Sequence, residues 1–200
     1  MLRCLICAVL LIPGLALADA REALDRFAEG LNTLSGSFRQ IIFDSDGFAL
    51  EESEGELYFQ APDRFRWDYQ QPFPQQLVAD GQRMWHFDEL LEQVTVGDQP
   101  EAGESALLVL TRPELLERFY RVEPSSSADE LHFVPLDSEA GFERASLRFV
   151  DGVPVMLEFT DRLVGQMTVI ELAALQRNPD LDDALFRFEP PPGVDVLEGY

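Results

Sequence analysis

The stretch that most constrains this chain runs over residues 62–96. Within it Arg64, Phe65, Arg66, Trp67, Asp68 and Tyr69 alternate polar with aromatic side chains without a break. Side chains leave a strand on alternate faces, so a period of two puts Phe65, Trp67 and Tyr69 on one face and the charges on the other. Residues 76–79 then read as a second short strand. Asp80-Gly81 supplies the left-handed backbone that a tight hairpin needs, and residues 83–88 return with Trp85 and Phe87 on one side. After a turn at 88–92, residues 93–96 make another pass. The expected product is an antiparallel meander in which large aromatic rings outnumber the valine and isoleucine of an ordinary core.

The first 18 residues have the layout of a cleaved export signal. Arg3 is a minimal positive start, residues 5–17 are an apolar run broken by Pro13-Gly14, and Ala16-Leu17-Ala18 precedes Asp19. A retained membrane anchor is the alternative. The run is short for a span, and no basic stop-transfer flank follows it, which favours export and cleavage. Cys4 and Cys7 both lie in this segment, so a domain over 19–200 has no disulfide, thiol nucleophile or cysteine metal site. Neither cysteine stands at the cleavage point, where a lipid anchor would be attached.

All 15 basic residues are arginine, against 37 acidic ones, for a net charge of −22. Such a surface repels phosphate backbones, so nucleic-acid binding is not expected. The acids are dispersed, which points to habitat or genome composition; the sharper alternative is a basic patch on a partner.

Along the chain, residues 19–34 read as an amphipathic helix with Leu24, Phe27, Leu31 and Leu34 on one stripe, ended by Ser35-Gly36. Residues 37–43 form a strand apolar on both faces, suited to a sheet with a cavity within and a helix outside. Residues 51–56 are an acidic bend, and 55–60 a strand with Leu57 and Phe59 alternating. The polar segment 97–104 has no periodicity. Residues 106–110 form a short helix apolar nearly all round, and Pro113 restarts a second over 113–119. A helix that short must rest on something greasy. It is either a core helix or a lid whose inner face replaces a ligand. The second half brings further strands, until Pro190-Pro191-Pro192 stops the ladder. About ten or eleven strands are expected, with no internal repeat and no domain boundary: a mainly β fold, a single curled antiparallel sheet.

The inventory for catalysis is thin. His86 and His132 each sit alone within a strand, adjacent acidic pairs such as Glu51-Glu52 point to opposite faces, and no phosphate loop or nucleophile motif occurs. No enzyme activity, metal or cofactor is expected.

Several pieces carry a resemblance. P-x-x-F-R-W at 62–67, V-A-D-G at 78–81, W-x-F-D at 85–88, E-Q-V-T at 92–95 and F-R-F-x-P-P-P-G-V-D-V at 186–196 stand in order at fitting spacings. Together they closely resemble the LolA family of periplasmic lipoprotein carriers. The resemblance implies an unclosed β-barrel with a helical lid over an apolar cavity that takes acyl chains. It also implies acylated lipoproteins as cargo, an inner-membrane ABC complex as donor, an outer-membrane receptor as acceptor, and a monomeric carrier. On this basis Leu57, Phe59, Phe65, Trp67, Leu77, Trp85, Phe87, Val94 and Val96 are expected to line the inside, with Leu107, Leu108 and Leu110 beneath the lid. Close packing of the same side chains against each other is the alternative. Phe65 matches the family's phenylalanine at the cavity mouth. One departure stands out: the family places an arginine before Pro62 to hold the lid shut, and this chain has Ala61. A lipid-sensing envelope-stress regulator and a paralogue carrying another lipid are the rival readings.

Overall fold

The computed structural model describes residues 14–99, 110–123 and 125–199. Twelve strands among them form one sheet: β1 (Thr33–Phe43), β2 (Ala49–Gln60), β3 (Arg64–Gln71), β4 (Gln75–Ala79), β5 (Arg83–Asp88), β6 (Gln93–Asp98), β7 (Tyr120–Glu123), β8 (Glu130–Pro135), β9 (Phe142–Val150), β10 (Val153–Asp161), β11 (Met167–Arg177) and β12 (Asp195–Glu198). Their order is β12-β6-β5-β4-β3-β2-β1-β11-β10-β9-β8-β7. Two meanders, β1–β6 and β7–β11, therefore join along the β1–β11 seam, and the sheet stays open between β12 and β7. Every pairing is antiparallel except β12 on β6. The expected polyproline stop holds for the 187–194 segment, but the chain then re-enters the sheet in parallel.

The first helix, α1 (Gly14–Ala28), ends earlier than the periodicity suggests. Gly30 adopts a left-handed φ of +66°, which turns the chain so that Leu31 drops into the core and β1 begins at Thr33. Ser35-Gly36, read from sequence as the helix stop, lies within β1. The proposed signal falls largely on residues 1–13, outside the described residues. Residues 51–56, read as a bend, are strand: β2 runs unbroken from Ala49.

Paired residues share a face, so the registers sort the sheet into two sides. One side carries Gln40, Ile170, Leu157, Leu147 and Leu131 as directly paired neighbours across five strands. Leu24 and Phe27 of α1 pack on this row together with Leu34, Phe38, Leu57 and Phe59 in one buried cluster. The helix thus lies on the concave face of β8–β10 and not behind the sheet as the sequence suggested. Segment 113–119, a 3-10 turn (Pro113–Leu115) followed by α2 (Leu116–Phe119), adds buried Leu116 to the same cluster. Among the described residues no helix is long and apolar enough to cross a membrane.

Candidate functional site

The concave face of β2–β6 is built by alternation. Leu57 pairs with Trp67, Trp67 with Leu77, Leu77 with His86, and His86 with Thr95. The neighbouring row is Phe59, Phe65, Ala79 and Met84. Leu57 and Phe59 are buried in the core, whereas Phe65, Trp67 and Leu77 keep part of their surface exposed. Apolar surface beside a hollow, incompletely sheltered from water, is what an apolar ligand can use.

A third row explains how the rings are held. Phe38 pairs with Gly55, and Gly55 with Tyr69. With no side chain between them, the Phe38 and Tyr69 rings meet edge-on at 5.0 Å, and Phe38 meets Trp67 at 4.5 Å. A Cβ at Gly55 would collide with the Asp68 backbone carbonyl and come within 3.0 Å of the Phe38 ring. The Tyr69 hydroxyl donates to Gln40 Oε1 at 3.2 Å. Burial, with the nearby Glu51 charge, pushes the Tyr69 pKa up, so it stays a neutral donor. Beyond this trio a hollow of about 310 Å³ opens, lined by Gln40, Ser53, Tyr69, Phe73, Leu77 and His86 among others. A larger hollow of about 640 Å³ opens on the other flank, against Phe119, Tyr120, Phe142 and Phe159.

Four expected lining residues are not there. Trp85 pairs with Val78 and Val96, and Phe87 with Gln76 and Val94, so Trp85, Phe87, Val94 and Val96 occupy the opposite, convex face. They are covered by the C-terminal segment: Phe188 packs 5.7 Å from both the Trp85 and Phe87 rings, and a 3-10 turn (Asp183–Phe186) delivers fully buried Phe186 to the same side. Sequence alternation marked the greasier face of β5 as the inner one. The 186–188 segment makes both faces of this half greasy, and only the register decides between them. Tyr69, Gln40 and His86 were missed as residues lining the hollow; Tyr69 was detectable, because it continues the Phe65 and Trp67 alternation.

Leu110 is buried in the core, while Leu107 and Leu108 lie outside the described residues. Ala61 packs against the same core and offers no side-chain donor. Arg64 does not replace the missing arginine. It points to the convex face, 5.6 Å over Phe186 and 3.4 Å from Asp183. Arg21 of α1 instead reaches segment 113–119, donating to the Pro113 carbonyl at 3.2 Å and to the Glu117 carboxylate.

A family model described as outer membrane lipoprotein carrier protein LolA matches residues 29–189. This chain belongs to the LolA family. Among curated LolA-family relatives, the outer-membrane lipoprotein carrier protein of Alkalilimnicola ehrlichii is 42% identical, over 90% of this chain and 85% of its own length. The protein of that name from Halorhodospira halophila is 38% identical, over 97% and 93%. Among solved structures, an uncharacterised conserved protein from Thermus thermophilus superposes with a TM-score of 0.55 at 17% identity, covering 90% of this chain and 99% of its own. That likeness speaks for the fold alone.

Proposed function

We propose that this chain ferries acylated lipoproteins across the periplasm, from an inner-membrane ABC complex to an outer-membrane receptor, with their acyl chains lying along the concave face of β2–β5. The observation that carries the reading is the asymmetry of that meander. On its convex face Phe188 of the C-terminal segment packs on Trp85 and Phe87, and Phe87, Val94 and Val96 are buried, while on the concave face Phe65, Trp67 and Leu77 stay partly exposed and Leu77 lines the smaller hollow. The names of the relatives supply the cargo, and the ABC complex and receptor follow from the family resemblance. The chain itself performs no chemistry in this reading: the donor complex hydrolyses the ATP, and this protein shelters tails from water.

Burying a methylene is worth about 0.8 kcal/mol, so three long chains sum to tens of kcal/mol on paper, beyond the practical ceiling of about 18–21 kcal/mol. A carrier that held them so tightly would never deliver. Competition solves this. The smaller hollow, at about 310 Å³, is at the low end of ordinary ligand pockets, and Leu110 and Leu116 already occupy part of the concave core. Cargo therefore has to displace protein side chains, and the energy of replacing them is subtracted from its affinity. Arg21, tying α1 to segment 113–119, is the polar contact that such displacement breaks.

Protein purified from envelope extracts and analysed by mass spectrometry tests the reading. Co-purifying triacylated lipoproteins support it; a free phospholipid or glycolipid alone points to a different cargo. The substitution Phe65→Glu is expected to leave the fold intact and cripple delivery, and normal lipoprotein traffic with it would count against the site.

A further inference from the structure

The two ends of the sheet differ. One end gathers the tips of five connections: 44–48 between β1 and β2, 72–74 between β3 and β4, 89–92 between β5 and β6, 136–141 between β8 and β9, and 162–166 between β10 and β11. Each carries or directly flanks at least one large apolar side chain in water. Phe48 (70% exposed), Phe73, Leu91 (70%), Leu136 and Leu163 (89%) are the leading ones, joined by Leu50, Leu90 and Val164. These are eight of the twelve exposed large hydrophobic residues among those described. At the other end the turns 61–63, 80–82 and 151–152 carry none, and only Val150 and Val153 flank one of them.

The tips form a continuous rim. Arg162 donates to the carbonyls of Ala140 and Phe142 at 3.0 and 3.1 Å, fastening 161–166 to 136–141. A Cβ at Gly165 would stand 4.0 Å from the Ser45 Cβ, so these two tips are neighbours. Phe73 and Glu51 line one hollow together, and the Glu89 amide donates to the Pro74 carbonyl at 3.2 Å. Both concave hollows include residues of this rim in their walls. Phe65, the expected mouth residue, is at the opposite end of its strand, paired with Phe59 and Ala79.

The rim's charge is one-sided. Segments 44–50, 71–75, 88–92, 136–141 and 161–166 hold eight acids and one arginine, Arg162, whose guanidinium is already bonded to backbone. An anionic bilayer would be repelled by such a surface. A protein face with apolar anchors ringed by arginine or lysine would be attracted, with the acids steering its approach and the exposed side chains supplying the contact. We propose that this rim is a docking surface for a membrane-embedded protein partner of that chemistry, used during transfer. This also gives the acidic composition a task. The proposal rests on the carrier reading for its biological setting, but not for its test.

The test uses the full-length mature protein and right-side-out inner-membrane vesicles, outer-membrane fragments, and liposomes made from the lipids extracted from each. Binding to at least one membrane above the matching liposome is expected. It should be abolished by trypsin shaving of the membrane, weakened as salt rises past the screening range, and reduced about tenfold or more by Leu163→Asp with Phe48→Asp, the loss of roughly one contact worth 1.4 kcal/mol. Equal binding to liposomes would overturn the proposal in favour of a lipid surface, and binding to neither membrane, or unaltered binding by the double variant, would overturn it outright. Binding of a fluorescent fatty acid by the same variant is expected to match wild type. Loss of that binding in the double variant would instead place the rim in the acyl site and overturn the docking assignment. Failure of wild-type protein to bind fatty acid at all would sink the carrier reading separately.

Discussion

Removing Phe186 should separate stability from ligand binding. The side chain is fully buried on the convex face, beneath the guanidinium of Arg64, and is not a member of the concave core. Truncating a packed phenylalanine to alanine costs about 3–5 kcal/mol, and the partly exposed cation over its ring adds about 0.5–1 kcal/mol. The Arg64 to Asp183 pair adds little, because Asp183 is more than half exposed. Phe186→Ala should therefore lose about 4 kcal/mol, within the 5–15 kcal/mol typical of a domain, so the variant still folds. With a urea slope of about 2 kcal/mol/M, the midpoint falls by about 2 M. Urea unfolding followed by Trp85 fluorescence in a Trp67→Phe background reads this directly, because Trp85 packs against Phe188 in the same small core. Fatty-acid affinity should stay within about twofold of the parent. A loss of stability under 1 kcal/mol, or an affinity that falls in step with stability, would refute the division into two faces.

Gly55→Ala places a methyl against the Asp68 carbonyl, which is backbone of the paired strand and cannot rotate away. Overpacking of about 1–3 kcal/mol is expected, read as a lowered melting temperature, and an unchanged one would deny that this approach is tight. Glu130 is a further case. Burial alone would raise its pKa, but contacts from His132, Ser125 and Arg148 outweigh that and hold it below the ordinary glutamate value. A depressed folded pKa means the stabilisation is present above the unfolded value of about 4.3 and is lost as pH falls through the folded one. Acid unfolding of Glu130→Gln should accordingly be flatter below about pH 4.3 than wild type, and identical acid limbs would contradict this.

Much of the architecture was legible, because a period of two survives wherever one face meets a core and the other meets water. That condition holds for β2 and β3, and Leu57, Phe59, Phe65 and Trp67 fell where alternation put them. It fails for β5 and β6. There Phe186 and Phe188, a hundred residues away, bury the second face, so period alone cannot say which side of Trp85 is inner. The position of α1 was misread for a similar reason. Apolar residues on both faces of β1 suggested a helix outside, yet part of the outer face is satisfied by ions, with Arg39 bridging Glu52 and Glu171. The helix stop at Gly30 is local chemistry that could have been read, since glycine serves a left-handed turn better than a helix interior. The parallel return of β12 needs a register that no local pattern encodes.

The chain has two tryptophans, and the registers put one on each face: Trp67 on the concave side beside Phe38, Trp85 on the convex side against Phe188. Two single-tryptophan proteins, Trp85→Phe and Trp67→Phe, titrated with a fatty acid brominated along its chain, therefore test the central claim directly, since bromine quenches at short range and so quenches the nearer ring more strongly. Stronger quenching of Trp67 than of Trp85 is the predicted result. Stronger quenching of Trp85, or quenching of neither ring while the acid is bound, would mean that the tails lie elsewhere.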